Sequence, residues 1–170
     1  MIKKYIIYIS LLCFALSNVV KLPNDIRWVT NSSEYKVLCE QIYHNAWSNI
    51  SKLIHNKKIS WGINTQQEWV IVMDLDETVL DNSKYQINLV NENTSYNPES
   101  WSRWVNLKEA ELVPGAKIFI DKVRRHNIQL IFLSNRMHKN LNPTIENMKA
   151  LDIYSEQDIF LLRQNREDKK

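Results

Sequence analysis

Two aspartates, Asp74 and Asp76, directly follow an apolar run that ends at Met73, in the stretch WVIVMDLDETVLDN. In open α/β sheets, ligands bind outside the carboxyl ends of the strands. Side chains two residues apart lie on the same side of a strand, so both carboxylates are expected to share one small space if the strand geometry persists. A hard cation relieves their repulsion, and oxygen ligands favour Mg²⁺ over zinc. The spacing therefore predicts a magnesium-binding reaction centre.

The structural alternative is an acidic turn after a strand. It would be the better explanation of an isolated Asp-x-Asp pair. Here an apolar strand precedes the pair and the segment ETVLD follows it, so we favour the functional interpretation.

The elements that must position the two aspartates alternate between strands and helices. In the run from Glu68 to Met73 every residue after Glu68 is apolar, which is typical of a central parallel strand. Pro114-Gly115 opens a predicted helix, and a second strand follows from Ile128 to Leu133. Another helix begins near Pro143 and leads to the third apolar run, Asp158 to Leu162. This order predicts a parallel sheet with flanking helices in an α/β fold.

Two further helical regions flank this pattern. Ser32 and Ser33 are N-cap candidates for one long amphipathic helix that reaches Ile54. A polar, Asn-rich segment from Gln86 to Ser100 leads into a predicted helix from Glu99 to Ala110. We interpret the latter region as a small helical cap inserted after the first strand.

The first 17 residues predict an export signal. Lys3 and Lys4 precede an apolar run from Tyr5 to Leu16, and the chain then shows a small-x-small pattern that ends at Ser17. The run is too short to cross a bilayer as a helix. We therefore expect a signal peptide at 1–17, one folded domain at 18–170, and a location in the periplasm or cell envelope of a bacterium.

Composition excludes several classes of protein. Cleavage at Ser17 removes Lys3 and Lys4 and lowers the net charge from +3 to +1, which argues against a nucleic-acid polymer as partner. Cleavage also leaves Cys39 as a single cysteine, so a disulfide framework is excluded. The two glycines of the chain are too few for a phosphate-binding loop of the Walker type or a dinucleotide fingerprint.

Four motifs in order resemble one family of enzymes. The segments are DLDETVLDN, SWSRWV, LVPGA and IFLSNR, within a similarity that extends from Trp28 to Lys170. They resemble the haloacid dehalogenase (HAD) superfamily, and more closely the bacterial class C acid phosphatases of the outer-membrane lipoprotein e group, subfamily IIIB. The resemblance implies a HAD-like (Rossmannoid) parallel sheet and hydrolysis of phosphomonoesters. The expected substrates include nucleoside monophosphates, as in a 5'-nucleotidase.

The resemblance also implies roles for the two aspartates. Asp74 would attack phosphorus as the nucleophile and form an aspartyl-phosphate. Asp76 would protonate the departing alcohol and then activate water. The Asp74 carboxylate and the Asp76 main-chain carbonyl would hold Mg²⁺, which neutralises charge on the phosphoryl oxygens.

Other residues match the family's later motifs. Ser134 would bind a phosphoryl oxygen, unless it only caps the strand end, and Asn135 and Arg136 beside it would reach substrate. By position Lys169, with Lys170 close behind, matches the lysine that completes charge neutralisation, although lysines in a charged tail are usually only solvated.

Trp101 and Trp104 are expected to hold a nucleotide base by stacking, as aromatic residues over the site do in the resembling family. The alternative, burial against the sheet, is the expected outcome for at least one of them.

One motif of the superfamily has no match before the chain ends. This is an acidic pair that follows a further strand, and neither Asp158 nor Glu167-Asp168 has the right context. We therefore expect a truncated phosphatase, or one completed by a partner, with Val70 to Met73 on an unpaired sheet edge. The alternative function is a catalytically impaired envelope-binding protein, and phosphotransfer to an alcohol acceptor is a third possibility.

Overall fold

A computed structural model describes residues 21–55, 69–165 and 167–168. The predicted signal peptide, 1–17, and Lys169 lie outside these described residues. The helices are α1 Asn24–Asn31, α2 Ser33–His55, α3 Ser83–Asn91, α4 Pro98–Leu107, α5 Ala116–Arg125 and α6 Leu141–Ala150, with a 3₁₀ turn at His138–Asn140. The strands are β1 Val70–Met73, β2 Leu80–Asp81, β3 Glu111–Leu112, β4 Gln129–Met137 and β5 Ile159–Arg163.

The main sheet has three parallel strands in the order β1, β4, β5. Val72 of β1 pairs with Ile131 of β4, which in turn pairs with Ile159 of β5. The α/β fold class and the parallel sheet predicted from the sequence are thereby confirmed. The predicted central position of the first strand is wrong, because β4 lies in the middle and β1 is an edge strand among the described residues. The expectation of an unpaired edge at Val70–Met73 holds in this part of the chain.

The helices cover one face of this sheet. Side chains of α3, α4, α5 and α6 join one hydrophobic cluster with the strand residues that point the same way, Met73, Leu130, Phe132 and Leu162. Strand residues alternate between faces, so a helix layer on one side buries every second strand residue. The core therefore lies between the sheet and the helices on this single side.

Helix α5 begins where the sequence predicts it to begin. Gly115 occupies the N-cap position with φ of 89°, a left-handed conformation that favours glycine. Its missing side chain lets α2 approach, and Tyr43 of α2 packs on Phe119 of α5 with ring centroids 5.4 Å apart. The long helix α2 is thus attached to the outside of α5.

The remaining helices depart modestly from the predictions. Helix α4 ends at Leu107, because Lys108 adopts a left-handed conformation that stops it before the predicted Ala110. The polar, Asn-rich segment that begins at Gln86, for which no helix is predicted before Glu99, contains most of α3. Cys39 is free, as expected. None of the helices in the described part of the chain is long and apolar enough to span a membrane.

Candidate active site

The turn after β1 presents the two aspartates. The regular strand ends at Met73, yet burial continues to alternate: Met73 and Leu75 are buried, whereas Asp74 and Asp76 are partly exposed. The Leu75 carbonyl accepts hydrogen bonds from the backbone N–H groups of Val79 and Leu80, both at 2.8 Å. This compact turn fixes the backbone between the strand and β2.

Asp76 is held by a buried arginine. Nη2 of Arg136 donates to Oδ1 of Asp76 at 2.7 Å, and Nε of the same guanidinium lies 3.0 and 3.2 Å from the two carboxylate oxygens. Asn82, fully buried, adds a hydrogen bond from Nδ2 to Oδ1 at 3.0 Å. Charge-assisted hydrogen bonds of this kind are stronger than neutral ones, so the Asp76 side chain has a defined position.

Ser134 joins this group from the carboxyl end of β4. Its hydroxyl is 3.4 Å from Oδ2 of Asp76, and it accepts the backbone N–H of Arg136 at 3.1 Å. The tertiary structure therefore brings together Asp76, Ser134 and Arg136, which are up to 60 residues apart in the chain. This is the placement that parallel strands with aligned carboxyl ends predict.

Asp74 occupies the strand end itself. Its Oδ1 accepts the backbone N–H of Leu75 at 2.8 Å, and the side chain is partly exposed. Asp74 does not line the cavity that opens beside Asp76. The predicted convergence of both carboxylates on one ion and one ester therefore stays a prediction.

A cavity of about 630 Å³ opens beside Asp76. Four of the predicted site residues line it, namely Asp76, Trp101, Asn135 and Arg136. The lining also includes residues that the sequence analysis did not select: Glu77, Gln86, Tyr96, Pro98, Met137, Lys139, Asn140 and Arg163. Arg163 ends β5 beside Met137 of β4, so the rule that ligands bind at strand carboxyl ends could have identified it.

The two predicted stacking tryptophans have different environments. Trp101 lines the cavity, and its ring centroid lies 5.7 Å from the guanidinium carbon of Arg136. Trp104 is 4% exposed and donates from Nε1 to Oδ1 of Asn82 at 2.9 Å. Trp104 therefore supports the site from within the core, and its expected contact with substrate is corrected to burial. Its indole N–H needs a buried acceptor, which Asn82 provides.

Glu77 adds an acidic group to the cavity wall. Burial raises the pKa of its carboxyl above the ordinary value, the hydrogen bond from Asn82 lowers that pKa, and the Asp76 carboxylate raises it again. The residue has φ of 56°, a left-handed conformation that is uncommon outside glycine. The turn that carries the predicted acid thus includes a residue with a left-handed backbone.

The described residues fit the predicted magnesium site only in part. They contain no group of three or more His, Cys, Asp or Glu side chains that could hold a metal ion. The Asp74 carboxylate and the Asp76 main-chain carbonyl are oxygen donors of the kind Mg²⁺ prefers, but the ion requires a near-octahedral set of ligands. Two donors are too few, so further ligands would have to come from water, substrate or other polypeptide.

The fold and the site together define an α/β protein with acidic residues at the end of its first strand. Residues 15–170 match the HAD superfamily, subfamily IIIB (Acid phosphatase), and the chain belongs to this family. The family resemblance drawn from the motifs is thereby confirmed, and the match begins earlier than Trp28.

Two solved structures are similar to the chain. The class C acid phosphatase from Bacillus anthracis is 31% identical, with a TM-score of 0.67, over 83% of this chain and 57% of that one. Its tungstate-bound form gives 31% identity and a TM-score of 0.66, over 85% of this chain and 57% of the other. The chain thus spans less than two thirds of the length of these relatives.

Proposed function

We propose that this chain hydrolyses phosphomonoesters at the cavity beside Asp76. The observation that carries the proposal is the meeting of Asp76, Ser134 and Arg136 at the carboxyl ends of neighbouring parallel strands, next to that cavity. Membership of an acid phosphatase family supports the same reaction class.

In the proposed reaction, a carboxylate oxygen of Asp74 attacks phosphorus and the bond from phosphorus to the ester oxygen breaks. Asp76 enters this step protonated, gives its proton to the departing alcohol oxygen and becomes a carboxylate. A water molecule then attacks phosphorus of the aspartyl-phosphate, the bond from phosphorus to the Asp74 oxygen breaks, Asp76 takes a proton from that water, and inorganic phosphate leaves. Asp74 and Asp76 both return to their starting states.

The neighbouring side chains serve binding and positioning. The Ser134 hydroxyl, which contacts Asp76 at 3.4 Å, would turn from it to donate to a phosphoryl oxygen. The buried guanidinium of Arg136 orients the Asp76 carboxylate and contributes positive charge where the anionic substrate enters. Asn135 is exposed on the cavity wall and available to the substrate.

Mg²⁺ is the proposed cofactor. When bound, the ion would neutralise charge on the phosphoryl oxygens and align them. The Asp74 carboxylate and the Asp76 main-chain carbonyl would be its ligands from this chain. Lys169 would add the remaining positive charge, as the family motif implies.

The proposed substrates are nucleoside monophosphates, and the proposed location is outside the cytoplasm. Tyr96 and Trp101 lie on the cavity wall with ring centroids 6.4 Å apart, which gives a planar base an aromatic surface. Base stacking on such rings contributes roughly 1–3 kcal/mol per base. Export rests on the signal predicted at 1–17.

The proposal is tested by hydrolysis of p-nitrophenyl phosphate with Mg²⁺ or with a chelator. We expect turnover with Mg²⁺ only, and none from Asp74→Asn. Glu156→Gln is the matched control, because Glu156 lines a separate cavity near the start of β4 and should leave turnover unchanged. An inactive wild-type chain that still binds inorganic phosphate would favour the impaired envelope-binding protein instead.

The substrate class is tested by comparing AMP with ribose 5-phosphate. Trp101→Ala should raise KM for AMP and leave KM for the sugar phosphate nearly unchanged. Trp28→Ala is the aromatic control, because Trp28 lies in α1 away from the cavity. Equal effects of Trp101→Ala on both substrates would exclude base stacking.

A further inference from the structure

Arg136 makes a contact that the proposed reaction does not use. Its Nη1 donates to the hydroxyl of Thr144 in α6 at 2.8 Å, on the opposite side from Asp76. Arg136 is 2% exposed and Thr144 is 0% exposed, so water cannot easily replace either partner. A buried guanidinium needs acceptors for its N–H groups, and Thr144 provides one.

The Thr144 hydroxyl has one pattern of hydrogen bonds: it donates to a carbonyl and accepts from Arg136. Its single proton is donated to the carbonyl of Asn140 at 2.7 Å, so its lone pairs are left to accept from Arg136. A threonine inside a helix often bonds to the carbonyl four residues earlier without any further role. The added contact with a buried arginine is what separates Thr144 from that common case.

The contact continues to the helix that carries Trp101. The Ser102 hydroxyl in α4 donates to Oδ1 of Asn140 at 2.8 Å. Asn140 therefore bonds to α4 through its side chain and to Thr144 through its main-chain carbonyl. A continuous series of hydrogen bonds runs from α4 to the Asp76 carboxylate through Arg136.

We propose that Thr144 is a positioning residue: it sets the guanidinium plane of Arg136, and through Arg136 the orientation of the Asp76 carboxylate. Because Nε and Nη2 bind the carboxylate and Nη1 binds Thr144, the planar group is held from both sides. Without the hydroxyl the guanidinium is held only from the Asp76 side, so its plane is less constrained and the orientation of the Asp76 carboxyl toward the leaving group is less well defined. This inference rests on the proposed role of Asp76 as acid and base.

Thr144→Val tests it, because valine keeps the branched shape and removes the hydroxyl. We expect kcat to fall about tenfold, with KM changed less than about twofold, as the loss of one hydrogen bond to a charged group would produce. Thr144→Ser restores the hydroxyl and should recover most of kcat. Thr30→Val is the matched control, because Thr30 makes the same bond to a carbonyl four residues earlier, at 2.9 Å, away from the cavity.

A second measurement does not depend on turnover. In nitrogen-15-labelled protein, the Nε–H resonance of Arg136 should exchange slowly with water, faster in Thr144→Val, and slowly again in Thr144→Ser. Thr30→Val should leave this resonance unchanged. Wild-type exchange in Thr144→Val, or equal behaviour of the valine and serine variants, would overturn the inference. If wild-type protein shows no hydrolysis, the proposed function fails while this comparison still decides the role of Thr144.

Discussion

The two faces of the main sheet are both apolar and differ in what covers them. One face contributes Met73, Leu130, Phe132 and Leu162 to the core under α5 and its neighbours. On the other face, Val70, Val72, Ile159 and Leu161 are 44–55% exposed in the described structure. Large apolar side chains stand on both faces, with Met, Leu and Phe on the covered one and Val, Ile and Leu on the exposed one. The comparison teaches that side-chain chemistry alone does not decide burial, because burial depends on which layers the chain supplies.

The uncovered face lies beside an uncovered edge. Among the described residues, β1 pairs only with β4, so its other side presents backbone groups without a strand partner. Exposed apolar strands with free edges are prone to association. The candidate site lies at the end of this same edge strand. The side chains that hold Asp76 come from β4 and from the side of the sheet that the helices cover.

The largest expected change in stability is the difference between substitutions of two neighbouring leucines on β5. Leu162→Ala, on the covered face, should lower the free energy of unfolding by about 2–5 kcal/mol, because it opens a cavity. Leu161→Ala, on the exposed face, should lower it by less than about 1 kcal/mol. Urea unfolding of both variants measures the difference. Equal losses would mean that the second face is buried in solution as well.

Gly115→Ala tests the attachment of α2 on the covered side. A Cβ at this position would lie 3.1 Å from the Cα of Glu40, and φ of 89° is unfavourable for alanine. We expect a loss of about 1–2 kcal/mol, the penalty of a left-handed backbone for a residue with a side chain. An unchanged urea midpoint would show that α2 does not pack against this turn.

Tyr43→Phe tests the link between α2 and the turn after β1. The Tyr43 hydroxyl donates to the Thr78 carbonyl, and its removal should lower stability by about 1 kcal/mol at neutral pH. Burial raises the pKa of the Tyr43 phenol from 10.0 to about 12. The folded state therefore keeps a proton that the unfolded state loses above pH 10, and stability falls as pH rises from 10 to 12.

The phenylalanine variant lacks this group, so its stability should fall less over the same pH interval. Thermal unfolding of both proteins from neutral pH to pH 12 measures the difference. Parallel pH curves would contradict the raised pKa of Tyr43 itself.

The smallest effect is expected from an exposed ion pair. Nζ of Lys84 lies 2.7 Å from Oε1 of Glu111, and both side chains are exposed to solvent. Water and salt screen such pairs. Lys84→Met should leave the urea midpoint nearly unchanged, and any small shift at low ionic strength should disappear when salt is added. A shift that persists in salt would mean that the pair is shielded from solvent.

Much of the fold could be predicted from local patterns. The strand and helix order, the helix start at Gly115 and the long helix α2 all follow from periodicity and turn residues. The position of β1 could not be predicted in this way, because an apolar run reads the same in a central strand and at an edge. The order of strands is set by long-range pairing, which leaves no local signal.

The candidate site divides in the same way. Motifs selected Asp76, Ser134 and Arg136, and the structure places them together. They also selected Trp104, which is buried instead. The sequence does not distinguish two tryptophans three residues apart on one helix, because the buried partner of Trp104, Asn82, comes from another part of the chain. Thr144 carried no signal, because a threonine in a helix is common and its arginine partner comes from another element.

The sequence by itself determined the family, the order of strands and helices, and the positions of Asp74 and Asp76 after the first strand. Residue type, spacing and periodicity are local properties of the chain. Only the tertiary structure decided which face of the sheet is covered, which tryptophan meets the cavity and which partner holds Asp76. Those outcomes depend on contacts between residues far apart in the chain, and such contacts exist only after the strands have paired.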